Sequence, residues 1–422
     1  MHRASLFTAW HGFFARAWPR DLASAGVLAL LCLLVLASAA AILAWPKPPI
    51  WDQARLLEAR FALPFHPAPP HGFTAQLCVI ALRAVLPASA PLAEAVRIFA
   101  MAFWAGTACW LGLALLRRRA SVAVLLLAIF SSQLPFLWLS TELLAGGFLF
   151  LALGAWVRGW HPAGVGVLLA LLALCKPDLL LVAVALGALF ASERPPERRP
   201  LAWGSLLTLT LLLAPGLALL GTGYLTDYGA EGRSRGFAAF SQHFAALVAP
   251  FQLAPGPDPW AQPGPYLERS FPGARSMLDV VTAPGAAYLD HLALSLARGV
   301  RKVGWLFQWA WLAVPLLVIA RRRSGPGLDA HERALLLTFV GCIPFVLFAY
   351  PHIRYFARYF PLFWLLVLMS FERLLREDPG AWRRPAVALS GACLALALGV
   401  GVQRTAIGLA LAPGLSQYWF SD

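Results

Sequence analysis

The chain has 422 residues, of which 60% are hydrophobic and 13% charged, and its formal net charge is +14. Soluble domains hold roughly 45–50% apolar and about 25% charged residues, so this composition excludes an ordinary soluble protein. The basic excess does not point to nucleic acid: most Arg residues sit in short loops between apolar runs, as the positive-inside rule requires.

The N-terminus places Arg3, Arg16 and Arg20 before an apolar stretch that ends near Trp45. That stretch exceeds the roughly 7–15 residues of a signal-peptide core, so an uncleaved first span over 24–45 is expected. Residues 5–19, rich in Phe and Trp, suit an interfacial helix before it. Further spans are expected near 93–115, 120–139, 143–157, 162–175, 178–191, 201–220, 303–320, 333–350, 359–374 and 385–403. The fold class expected is therefore an all-α polytopic membrane protein of about 11 transmembrane helices, within a range of roughly 9–13.

With the N-terminus cytoplasmic, Arg117–Arg119, Arg158, Arg194/Arg198/Arg199, Arg321–Arg323 and Arg373/Arg376/Arg383/Arg384 all fall on the inner side. Two long loops, 46–92 and 221–302, then lie on the extracytoplasmic side. Within the first, His71–Leu86 reads as a helix lying on the membrane. The second is polar at first, Pro/Gly-rich over Pro250–Gly273, and helical in character from Arg275 to Lys302. The expected organisation is a transmembrane module over 1–220, a lid loop over 221–302 and a second transmembrane module over 303–422.

The ionisable residues left near the outer ends of spans form the candidate site, since charge inside a bilayer is costly and is kept for function. Asp52, after the first span, is the candidate general base, which would take the proton of an attacking hydroxyl. Its plain alternative is an N-cap, because Asp52-Gln-Ala-Arg-Leu-Leu-Glu begins a good helix. Glu58, His66 and His71 follow in the same loop as candidate acceptor-side residues. The spacing of the two His leaves metal binding and a solvated loop both open. Glu142 is either a first-turn helix residue near the dipole or part of the site.

Lys176-Pro177-Asp178 separates two apolar pieces. Proline after Lys176 ends a helix and pushes Lys176 into an extended conformation, where its ammonium suits a phosphate. Asp178 is a nearby partner for it. His352, Arg354 and Arg358 stand in Tyr350-Pro-His-Ile-Arg-Tyr-Phe-Ala-Arg-Tyr-Phe-Pro361. On a helix Arg354 and Arg358 share a face, and two guanidiniums there suit a phosphate; the alternative is an aromatic-belt anchor with snorkelling Arg. The six cysteines, at 32, 78, 109, 175, 342 and 393, show neither metal nor disulfide spacing.

Taken in order, Trp51-Asp52-Gln53, Pro69-Pro70-His71, Arg97-Ile-Phe-Ala, Cys175-Lys176-Pro177 and Arg354-Tyr355-Phe356 through Pro361 resemble the motifs of the GT-C membrane glycosyltransferases. These enzymes use polyprenyl-phosphate sugars, and the resemblance is to their aminoarabinose transferase and protein O-mannosyltransferase branch. It implies a GT-C-like fold and inverting transfer of a sugar from a polyprenyl-phosphate donor to a lipid or glycan hydroxyl of the cell envelope. Asp52 would be the base, and Glu142, Lys176, His352, Arg354 and Arg358 would bind the donor. The resemblance further implies a bacterial inner-membrane protein with its site on the outer face and the bilayer as partner. Where family members often hold a second acidic residue beside the first, this chain has Gln53, which leaves open whether a divalent metal is used. A carrier or flippase for a lipid-linked anion and a catalytically inactive subunit are the alternative functions.

Overall fold

The computed structural model describes residues 22–44, 57, 72–131, 140–176, 179–192, 203–220, 235–251, 256–283, 285–308, 310–322, 329, 331–336, 338, 358–378, 380–381 and 384–410. All regular elements among them are helical. In chain order they are α1 (Leu22–Ala44), α2 (Phe73–Val85), α3 (Leu92–Leu115), α4 (Arg119–Ser131), α5 (Ser140–Val157), α6 (Pro162–Cys175), α7 (Leu180–Ser192) and α8 (Gly204–Leu220). There follow α9 (Arg235–Val248), a 3-10 turn at Ala249–Phe251, α10 (Gly264–Ser270), α11 (Met277–Thr282), α12 (Ala287–Phe307), α13 (Ala310–Arg322), α14 (Phe360–Glu377) and α15 (Pro385–Ala410).

Three of these helices are long and apolar enough to cross a membrane: Leu22–Ala44, Leu92–Leu115 and, within α15, Pro385–Gln403. This overturns the expectation of about 11 transmembrane helices. The reason is length. An α-helix rises about 1.5 Å per residue, so 13 residues reach only ~20 Å of a ~30 Å hydrocarbon core. Helices α4 and α7 have 13 residues each and α6 has 14. Apolar runs were thus counted as spans where the helices within them are too short. The 303–320 segment shows a related difference. There α12 ends at Phe307, Gln308 adopts φ 52°, and a new helix begins at Ala310, so the apolar run is divided between two helices.

The main core joins α1 through α8 with α13 to α15 in one apolar cluster. Its most extensive seam is α3 against α5, where glycines let large rings approach the backbone. A methyl group at Gly147 would sit 2.4 Å from the Phe103 ring, and one at Gly154 would sit 2.3 Å from Trp110. Small residues facing large ones are how helices gain van der Waals contact where lipid removes the hydrophobic drive. Segment 235–307 builds a second, smaller core from Phe237, Phe240, Phe244, Leu267, Phe271 and Val280. The Pro/Gly-rich stretch over 250–273 holds the short helix α10, and α11 and α12 lie where helical character was expected from Arg275 onward.

A candidate anion site at the head of helix α14

Glu142 lies in the first turn of α5 and is buried, at 5% exposure. Its carboxylate forms ion pairs with two cations remote in sequence. Lys176 Nζ meets Oε1, and Arg358 lies 3.1 Å from Oε2. Lys176 caps the C-terminus of α6 in an extended conformation (φ −147°, ψ 108°), as expected for a residue before proline. Its own N–H donates to the Leu172 carbonyl at 3.1 Å. A cation at this point also complements the negative end of the α6 dipole.

Arg358 is fully buried and occupies the turn before α14, so the helix expected to carry it begins only at Phe360. Its guanidinium stacks over the Tyr359 ring at 4.8 Å, a geometry in which the ring quadrupole stabilises the charge. Its carbonyl accepts from Trp104 Nε1 at 3.4 Å. Gly146, one turn beyond Glu142, makes room for this arrangement. A methyl group there would lie 2.8 Å from both the Arg358 carbonyl oxygen and Trp104 Cδ1. The backbone that aims Arg358 is therefore clamped between α3 and α5.

A second clamp acts on Lys176. Gly72 donates its N–H to the Cys175 carbonyl at 3.2 Å, and a methyl group on Gly72 would fall 2.0 Å from the Leu174 carbonyl oxygen. Only glycine permits this approach between the start of α2 and the end of α6. Arg83, near the other end of α2, donates to the Leu57 carbonyl and so ties the first loop to the same helix. Thr74 and Gln76, in the first turns of α2, are buried as well.

Two cations, Lys176 and Arg358, thus converge on the carboxylate of Glu142. Buried charges persist only when paired, because desolvation costs several kcal/mol per ion. Glu142 thus helps to hold both cations in place.

Of the residues expected at a site, Glu142, Lys176 and Arg358 come together. Asp52, Glu58, His66, His71, His352 and Arg354 lie outside the described residues, as does Asp178, the partner offered for Lys176. Sequence reasoning missed that Glu142 is the partner of Lys176 and that Gly72, Gly146 and Trp104 position the cations. Among the described residues no group of three or more His, Cys, Asp or Glu side chains is placed to hold a metal ion. Compared with known proteins, the chain matches no family model, no curated sequence and no solved structure. The class defined by these observations is a helical membrane protein in which two cations meet at a buried carboxylate.

Proposed function

We propose that this protein is an integral-membrane glycosyltransferase that takes a sugar from a polyprenyl-phosphate donor and transfers it to a hydroxyl of an envelope lipid or glycan. The observation that carries this reading is Glu142 held between Lys176 and Arg358, three residues of separate segments that bring two cations together at one point. The resemblance of the ordered motifs to membrane glycosyltransferases supports it further.

In the mechanism, Lys176 and Arg358 neutralise the phosphate as the bond from anomeric carbon to phosphate oxygen breaks. Stabilising the charge that develops on the leaving group is usually the largest catalytic term. Asp52 removes the proton of the acceptor hydroxyl, whose oxygen forms the new bond to the anomeric carbon from the opposite side. The bonding pair departs with polyprenyl phosphate, and configuration inverts in one displacement. The reaction runs at the outer face of a bacterial inner membrane, with the polyprenyl tail among the helices.

The test is mass spectrometry of envelope glycolipids and glycans from a host lacking the gene, complemented with wild type or with Asp52→Asn. A sugar-sized mass increment restored by wild type alone supports transfer. Restoration by both proteins removes Asp52 as base and favours a carrier of the lipid-linked anion.

A further inference from the structure

Helix α12 carries its polarity in reverse. His291 and Ser295 are buried, at 1% and 0% exposure, with Tyr288, Arg298 and Lys302 partly buried on the same side. His291 faces the rings of Phe240 and Phe244, 5.2 and 5.5 Å away, while Leu294 packs against Ala246 and Leu247 of α9. The outward side presents Leu289, Ala293, Leu296 and Val300, which follow one another at helical spacing and form a single stripe. The three large ones are 66%, 52% and 64% exposed. A helix facing water turns its apolar stripe to the core and its charges outward. Over Leu289–Val300 this helix instead exposes an apolar stripe.

We infer that the outward stripe of α12 rests in the acyl chains at the membrane interface, so that segment 235–307 is seated on the bilayer and not suspended above it. Two observations identify the bilayer as the occupant. The first is continuity. Beyond Gln308 the chain passes directly into α13, which packs along α15, a helix of membrane-spanning length that exposes Leu389, Leu396 and Val402. The apolar stripe of α12 is thus followed in the chain by a helix packed along one of membrane-spanning length. The second is charge placement. Asp290 and Arg301, both exposed, fall along one edge of the stripe, where a helix lying in the interface meets headgroups. Arg301 there suits anionic lipid. The same segment exposes a further apolar pair, Leu278 and Val281.

The inference does not depend on glycosyl transfer and is tested without it. The full-length wild-type protein is placed in vesicles of phosphatidylethanolamine and phosphatidylglycerol carrying a phospholipid with an acyl-chain diazirine. It is then irradiated and mapped by peptide mass spectrometry. Adducts are expected on Leu289, Leu296 and Val300 at a level matching Leu33 and Leu36 of α1, with none on His291 or Ser295. Adducts on Leu33 and Leu36 with none in 287–307 overturn the inference. A second measurement places spin labels at Leu289→Cys, Leu296→Cys and Val300→Cys in a protein stripped of its native cysteines. Access to oxygen with shielding from a water-soluble nickel chelate supports lipid contact. Access to nickel, or shielding from both reagents with spin–spin broadening from a second copy, contradicts it.

Discussion

The two ends of helix α14 carry opposite kinds of charge cluster, about 27 Å apart by the helical rise. At its head, Arg358 and Lys176 share the one carboxylate of Glu142. At its foot, Arg373 is surrounded by three carboxylates, with Glu332 at 2.9 Å, Glu377 at 2.8 Å and Asp329 at 3.9 Å. The foot is tied into the backbone on every side. Asp329 and Glu332 exchange backbone-to-carboxylate hydrogen bonds at 2.9 Å, and Glu372 accepts from the N–H groups of Arg117 and Arg118. A cation with an excess of acceptors is a clasp. At the head, by contrast, two cations remote in sequence meet at one carboxylate, and glycine-mediated contacts fix the backbone that carries them. The same residue types thus serve structure at one end and, on our reading, chemistry at the other.

Removing the shared carboxylate breaks this contrast most strongly. Glu142→Gln removes the carboxylate shared by the buried Arg358 and the half-buried Lys176 and is expected to cost about 3–5 kcal/mol, read as a lowered thermal transition in detergent, with transfer lost. An unchanged transition would mean the cluster is solvated and not a buried pairing. Next in size is Gly146→Ala, which forces a methyl group against the Arg358 carbonyl and Trp104. Overpacking of this kind costs about 1–3 kcal/mol, and transfer should fall with it because Arg358 is displaced. By contrast, Arg373→Ala is expected to lower stability by about 1–2 kcal/mol while leaving transfer per folded molecule unchanged. Loss of transfer in that variant at full folding would erase the distinction between the two ends.

The smallest effect belongs to segment 235–307. Asp279 accepts from the N–H groups of Arg275 and Ser276 at 2.9 and 2.8 Å, and these bonds hold its carboxyl below the usual carboxylate range. A depressed folded-state pKa contributes stability that is present above the unfolded value of about 3.9 and is lost as pH falls through the folded value. Protection of the Ser276–Val280 amides, taken relative to unstructured exchange at the same pH, should therefore fall only in acid below about pH 4, and Asp279→Asn should show low protection already at neutral pH.

The sequence made helix positions legible where apolar runs are bounded by clear breakers. Segment 162–175 has the bounds that were expected, because His161-Pro162 opens it and Lys176 before proline closes it. The extended backbone of Lys176 was readable for the same local reason. What was not readable is long-range. Nothing near Lys176 marks Glu142, 34 positions earlier, as its partner, and nothing near Arg358 marks Gly146 and Trp104 as its clamp. The number of spans was overstated because hydrophobicity measures how apolar a run is, and not how much of it is one unbroken helix. Gln308, at positive φ in the middle of such a run, is the clearest instance.

The most direct test of the central claim varies the charge of Lys176 while keeping its place. Transfer is measured by envelope mass spectrometry in a host lacking the gene, with wild type, Lys176→Arg and Lys176→Ala matched for folded protein. The account predicts that Lys176→Arg retains part of the product and that Lys176→Ala loses about 100-fold or more, the usual cost of removing one group that stabilises a leaving anion. Equal product from all three would contradict it.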